Sequence, residues 1–543
     1  MRPDRIRQRG HDAVRRRPRV AVACLAACGL TVALTSAGPA AADPNNNSPR
    51  KLEKAVTVDG VLEHLDRFQA IADANDGTRA SGTPGYDASA DYVAGQLEAA
   101  GYEVTRQEFE FPFFQELSDA ELEQVSPDET TYELGEDFLT MEFSGSGDVT
   151  APVEGVDLVL PPGDEPNTST SGCEAADFAG FTEGNIALMQ RGSCAFATKA
   201  ANATDAGAAA AVIFNEGQPE RTDTFAGTLG GTMPDIPVLA ASFSVGADLA
   251  DPEGTVARVR TDTFSETRTT ENVFAETRHG RTDNVVMAGG HLDSVLDGPG
   301  YHDNGSASAA LLEVALQMRK VKPNNQVRFA WWGAEESGLV GSDHYVANLS
   351  EQEIDDIALY INFDMIGSPN YQFGIYDGDD SDGEGAGPGP EGSAEIEKVF
   401  EAFFDGRDLP HEGTDFTGRS DYGPFIAVGI PAGGLFTGAE ELKTPEQVER
   451  YGGVASEQLD PCYHAVCDSS TPVADGADPA VYAQLGELHG NVNVTALDVN
   501  SDAVANAVIN FAFDTSAVNG ERSPGKSHGA GNSEDALSPE PEK

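Results

Sequence analysis

Strands alternating with helices, each strand running into a polar residue beside small ones, constrain this chain more than any other feature. "TDNVVMAGG" reads as a strand and "SASAALLEVALQMRK" as a helix with Leu311, Val314, Ala315 and Met318 on one stripe. "NQVRFAWWG" and "DIALYINFDMIG" are further strands; "SAEIEKVFEAFF" and "SDAVANAVINFAF" (501–513) are further helices. This order predicts an α/β fold, a mostly parallel mixed sheet flanked by helices on both faces. Upstream, "VDGVLEHLDRFQAIADAN" and "GYDASADYVAGQLEAAGY" have helical spacing, the second ending at Gly101, and "EVTRQEFEF" follows as a strand. Between about 135 and 265 the texture changes to short β-like runs and glycines, such as "GNIALMQRG" and "AAAAVIFNEG". A β-rich module therefore interrupts an α/β domain. The expected divisions are 1–42, 43–134, 135–265, 266–515, and a polar tail over 516–543 that is too poor in apolar residues to fold.

At 543 residues the chain exceeds one ordinary domain. Its formal charge of −56 argues against nucleic acid as a partner, because phosphates would be repelled. Residues 1–42 read as an export signal: basic "RRRPR", apolar "VAVACLAACGLTVAL", and a cleavage site after Ala42. Removing their eight Arg and two Asp takes the charge from −56 to −62. The expectation is a secreted, extracellular protein, with two points open. "LAAC" offers Cys28 as a lipid-anchoring residue, and the paired arginines leave the export route undecided between Sec and Tat. No later segment reaches the length of a membrane span. Four cysteines remain after the signal, Cys173, Cys194, Cys462 and Cys467, and an even number in an exported chain suggests two disulfides, most simply between sequence neighbours.

In doubly wound sheets ligands gather at the carboxyl ends of strands. Here those ends supply His291 with Asp293 two residues on, Asp303 ahead of a helix, Glu335 and Glu336 after "RFAWWGA", and Asp364 in "NFDMIG"; His464 follows in "CYHAVCD". Each alone has an ordinary explanation: a structural hydrogen bond, an N-cap, a turn, a solvated face. Two histidines and several carboxylates converging on one place suit zinc or a similar divalent ion.

The order H-x-D, D-N-G-S, E-E-S-G-L-x-G-S, F-D-M-I-G and C-Y-H-x-x-C-D resembles the secreted co-catalytic di-zinc aminopeptidases of metallopeptidase clan MH. The resemblance spans roughly residues 50–515 and includes "RSDYGPF" (419–425). The insert, through "GNIALMQRGSCAFATKAANATDAGAAAAVIFN", resembles a protease-associated (PA) domain.

The resemblance implies a zinc-exopeptidase fold and two zinc ions per chain. His291 and Asp364 would hold one, Glu336 and His464 the other, with Asp303 bridging. Asp293 would orient His291. Glu335 would take a proton from the bridging water and deliver it to the leaving amine. Tyr463 would donate a hydrogen bond to the tetrahedral oxyanion, weighed against a core tyrosine. A Cys462–Cys467 bridge would close the loop around Tyr463 and His464. Arg419 would line the substrate cleft, against a surface ion pair. Some relatives bind Ca2+ elsewhere, for which Asp498 and Asp502 are candidates, against helix capping by Asp502. Tyr422 stands where histidine is frequent.

The expected activity is removal of N-terminal, preferably apolar, residues from peptides or proteins with a free N-terminus, by a monomer. The competing readings are a carboxypeptidase of the same clan, which would want a basic cluster; a glutaminyl cyclase relative, which would use one zinc; and an inactive receptor on this scaffold, which would have lost ligands.

Overall fold

The computed structural model describes residues 45–520, apart from 220, 232, 233, 384 and 386. The expected signal, Cys28, and the tail beyond 520 lie outside the described residues. Among the described residues no helix is long and apolar enough to cross a membrane.

Four parallel strands form the centre of the catalytic half, in the spatial order Ala432–Phe436, Ile357–Phe363, Arg281–His291, Asn325–Trp332. Gly374–Tyr376 joins antiparallel at one edge, with Glu412–Thr414 beyond it; Val256–Glu276 joins antiparallel at the other. The pleat divides each central strand between two cores. Val286 and Ala288 pack with the helices Val58–Asp73, Pro84–Ala100, Gly305–Met318 and Val494–Phe513. Val285 and Met287 face the opposite core, with Tyr345, Phe425 and Trp332. The predicted mixed sheet with helices on both faces is what the chain forms. As predicted, Gly101 ends its helix, in the left-handed conformation (φ 94°) that glycine accepts without strain.

Three elements differ from the sequence expectation. The strand expected over "EVTRQEFEF" runs on from Glu103 to Ser126 and pairs antiparallel with Val256–Glu276, so residue 265 falls mid-strand. This ribbon carries the chain into the insert, whose strands Gly147–Gly155, Ile186–Gln190, Ala210–Phe214, Val238–Ala241 and Phe138–Thr140 continue the same sheet. The closing helix starts at Val494, with Asn493 capping it, so Asp502 lies inside the helix and caps nothing. Residues 516–519, expected in the tail, form a short helix, Ser516–Asn519, whose Val518 is buried in the main core.

Candidate active site

The polar residues at the strand ends meet in one place, buried except for the ring of His464, which stays about 41% exposed. His291 ends its strand after Gly289 and Gly290, and the glycines are required by close approach. A Cβ on Gly290 would sit 2.4 Å from the Phe363 carbonyl oxygen, and one on Gly289 2.8 Å from the Tyr360 hydroxyl. The capping duty expected of Asp303 falls instead to Asn304, whose side chain accepts from Ala307 N (3.3 Å). Asp303 is thereby free to point inward. One of its carboxylate oxygens lies 3.2 Å from His291 Nε2 and the other 3.3 Å from His464 Nε2. Asp364 Oδ1 lies 3.2 Å from His291 Nε2, and Glu336 Oε2 lies 3.0 Å from His464 Nε2. Two trios result, His291–Asp303–Asp364 and Asp303–Glu336–His464, each with its ligand atoms within 4.8 Å of one another and Asp303 common to both.

Glu335 and Glu336 part company through a turn. Ala334 has φ 53°, and Gly338 N and Leu339 N both donate to the Glu335 carbonyl. Glu336 faces His464, while the Glu335 carboxyl is buried among Asp421, Asp364 and His291. Burial pushes the Glu335 carboxyl well above its usual range, the neighbouring acids add to that, and only His291 opposes. His464 moves the other way. Burial would lower it, but the Glu336 and Asp303 carboxylates outweigh burial and push it up to about 11. Asp303 is held below its usual range despite burial, because an imidazole sits on each side. The pocket therefore favours positive charge at the ring nitrogens. That preference fits a divalent cation, as does Glu336 Oε1, buried without a hydrogen-bond partner.

Asp293 reaches His291 mainly through its backbone. Its carbonyl lies 3.1 Å from His291 Nδ1, its carboxylate 3.6 Å, and the carboxylate also accepts from Glu335 N at 3.3 Å. Tyr463 stacks on His464 with ring centroids 3.9 Å apart. Arg419 donates to the Tyr463 hydroxyl (3.2 Å) and to Glu440 (2.6 Å), the second being the ion pair weighed for it. The disulfides are Cys173–Cys194 and Cys462–Cys467, the second flanking Tyr463 and His464. Tyr422 is packed edge-on between Tyr376 and Phe416, and its hydroxyl accepts from Gly418 N, a structural post beneath the Arg419 loop. Asp502 pairs with Arg407 (3.0 Å), which also binds Glu53, so a guanidinium stands where a calcium ion was expected.

Several residues had no assigned role in the sequence. Ser420 donates to Asp364 Oδ2 (2.6 Å) and accepts from Asn362, which accepts in turn from Tyr360. Asp421 is fully buried beside the site; burial, with Asp364 and Asp293 adding and His291 and Ser342 opposing, pushes its carboxyl up to about 8. Arg79, fully buried, donates to the carbonyls of Leu292, Pro299 and Gly300 and so holds the loop that leads to Asp303. Asp468 accepts from the backbone N–H of both His302 and Asp303, tying the Asp303 turn to the His464 loop. "RSDYGPF" and "CYHAVCD" contained three of these, but serine and aspartate at such places declare their task only once the loops are packed.

Comparisons with known proteins agree with this geometry. The sequence pattern of peptidase family M28 matches residues 272–485, and that of the PA domain residues 153–249. An aminopeptidase of Pseudomonas aeruginosa is 46% identical over 480 residues, covering 88% of this chain and 84% of the relative. A probable lipoprotein aminopeptidase of Mycobacterium tuberculosis is 40% identical, covering 89% and 90%. Among solved structures, an aminopeptidase from Aneurinibacillus sp. strain AM-1 superposes with a TM-score of 0.62 at 25% identity, covering 85% of this chain and 95% of that one. A zinc aminopeptidase from Bacillus subtilis shares the fold, with a TM-score of 0.53 at 22% identity over 83% and 94% of the two chains. The fold and site thus define a zinc-exopeptidase-type peptide hydrolase with an inserted PA domain. The chain belongs to peptidase family M28, on its aminopeptidase branch.

Proposed function

We propose that the protein is a secreted di-zinc aminopeptidase that removes N-terminal, preferentially apolar, residues. The observation that carries the reading is Asp303, whose two carboxylate oxygens each face a different imidazole. His291 and Asp364 would hold one zinc, Glu336 and His464 the other, and Asp303 would bridge them. When bound, the ions supply Lewis-acid polarisation of the scissile carbonyl and lower the pKa of water.

The chain's own residues do the rest. Glu335, buried on the opposite side of its turn from Glu336, accepts the proton of the attacking water and passes it to the leaving amine. The Tyr463 hydroxyl, held by Arg419, donates to the developing oxyanion. Asp293 fixes the ring of His291, and Ser420 fixes the carboxylate of Asp364. The substrate ammonium would be received by Glu335 and Asp364 before the chemistry. The two disulfides accord with an oxidising, extracellular location. The direct test is metal analysis with hydrolysis of leucine p-nitroanilide against its N-acetylated form. Two zinc ions per chain and cleavage of the free amine alone are expected; equal cleavage of both would overturn the reading.

A further inference from the structure

A cleft of about 610 Å³ opens from the metal site toward the insert. Its inner end is Asp293 and Glu336, each with one carboxylate oxygen buried without a hydrogen-bond partner. Separate parts of the chain wall it: Ala80 and Ser81, the loop after His291, the ribbon strand around Pro112–Asp119, and Glu142 with Phe143 from the insert. Phe143 has φ 65°, a conformation bulky side chains rarely hold, and its ring meets Phe114 at 5.4 Å. The insert thus presses an aromatic wall into a space continuous with the catalytic residues.

The charge of this space is one-sided. Glu116, Asp119, Glu142 and Asp297 line it together with the two inner acids, and among the described residues no Lys, Arg or His does. These carboxylates crowd one another: partial burial raises Glu116 above its usual range, a hydrogen bond with Thr140 opposes, and Asp297 and Asp119 beside it add to the shift. An exopeptidase acting at the N-terminus holds a single residue before the scissile bond. An extended cleft that leaves the metal site for solvent therefore has only the rest of the peptide to hold.

Resting on the function proposed above, we infer that this cleft binds the residues just after the scissile bond, and that its carboxylates select Lys or Arg there. The insert is then a wall of the substrate site, and the preference for the leaving peptide is set separately from that for the N-terminal residue.

The test uses the full zinc-loaded enzyme and three substrates: leucine p-nitroanilide, Leu-Lys-Lys-Gly-amide and Leu-Glu-Glu-Gly-amide. Summing four exposed or half-buried charge pairs, kcat/KM should favour the lysine peptide by about tenfold at low salt, and by much less at about 1 M. Glu116→Gln/Asp297→Asn, which changes two exposed side chains, should cut that ratio by about threefold or more. Glu142→Gln should lower it further. A wild-type ratio near one, or a ratio unmoved by the double variant, with leucine p-nitroanilide still cleaved, would overturn the cleft assignment and leave the aminopeptidase reading standing. Failure to cleave any of the three would overturn both.

Discussion

In the insert, Lys199 is completely buried, and its ammonium donates to the Ser171 carbonyl with Cys173 Sγ 3.7 Å away. Glu216, an acid whose charge acts on it, is held by Asn167 N (2.9 Å) and Arg221. In the catalytic half, Asp303, Glu335, Glu336 and Asp364 share one pocket with two imidazoles, and their charges oppose one another. Both regions belong to one continuous sheet. The insert neutralises a buried charge with backbone dipoles and is complete in itself. The catalytic half gathers like charges that, on the function proposed above, a cation from outside would satisfy. Burial of a charge is therefore not the mark of a functional site; convergence of like charges on one point is.

The contrast is broken most directly at Asp303. Asp303→Ala removes the residue common to both trios, so both metal ions should leave together and hydrolysis should fall by at least about 10³, the scale of several kcal/mol of metal-assisted stabilisation. Metal analysis beside kcat/KM reads this out. Retention of one tightly held ion would show that the two trios are independent.

Lys199→Ala should give the reverse pattern. The Ser171 carbonyl loses its donor, costing about 1–3 kcal/mol of stability, while metal content and turnover of the folded protein stay as they were. Urea denaturation with metal analysis decides it. Burial also lowers the Lys199 ammonium from its ordinary 10.5 to about 8. Between those values the unfolded chain holds a proton that the folded chain has released, so stability should rise with pH across about 8 to 10.5 and lose this contribution below. The gain is at most on the order of 3 kcal/mol, and in Lys199→Met that part of the slope should vanish.

The smallest effect concerns the whole surface. At a formal charge of −56 the chain repels itself, and screening shortens to about 3 Å in molar salt. Melting temperature should be higher in molar salt than in dilute buffer; a flat or falling curve would contradict this.

The same two regions explain what the sequence made legible. His291, Asp303, Glu335, Glu336, Asp364 and His464 stood out because four of them follow apolar, glycine-flanked strands, Asp303 precedes a helix beside Gly305, and His464 sits in a Cys-bounded turn. The ribbon did not. Pro112 halts a strand reading that began at Glu103, and the bulges between Glu116 and Ser118 and between Ser118 and Glu121 shift the alternation out of phase. Arg79 and Ser420 were silent for a different reason: each works through atoms more than fifty residues away, which no local period records. The pairing of Asp502 with Arg407 was silent in the same way, because nearly a hundred residues separate the two.

The central claim is that two neighbouring glutamates divide the work, Glu336 gripping metal and Glu335 moving the proton. Glu335→Gln keeps the shape of the side chain and removes its ability to accept a proton. Measured together, its zinc content and turnover should separate: two zinc ions per chain retained, and kcat lower by about 10²–10⁴. Loss of zinc from Glu335→Gln, with normal turnover once zinc is restored, would contradict the account.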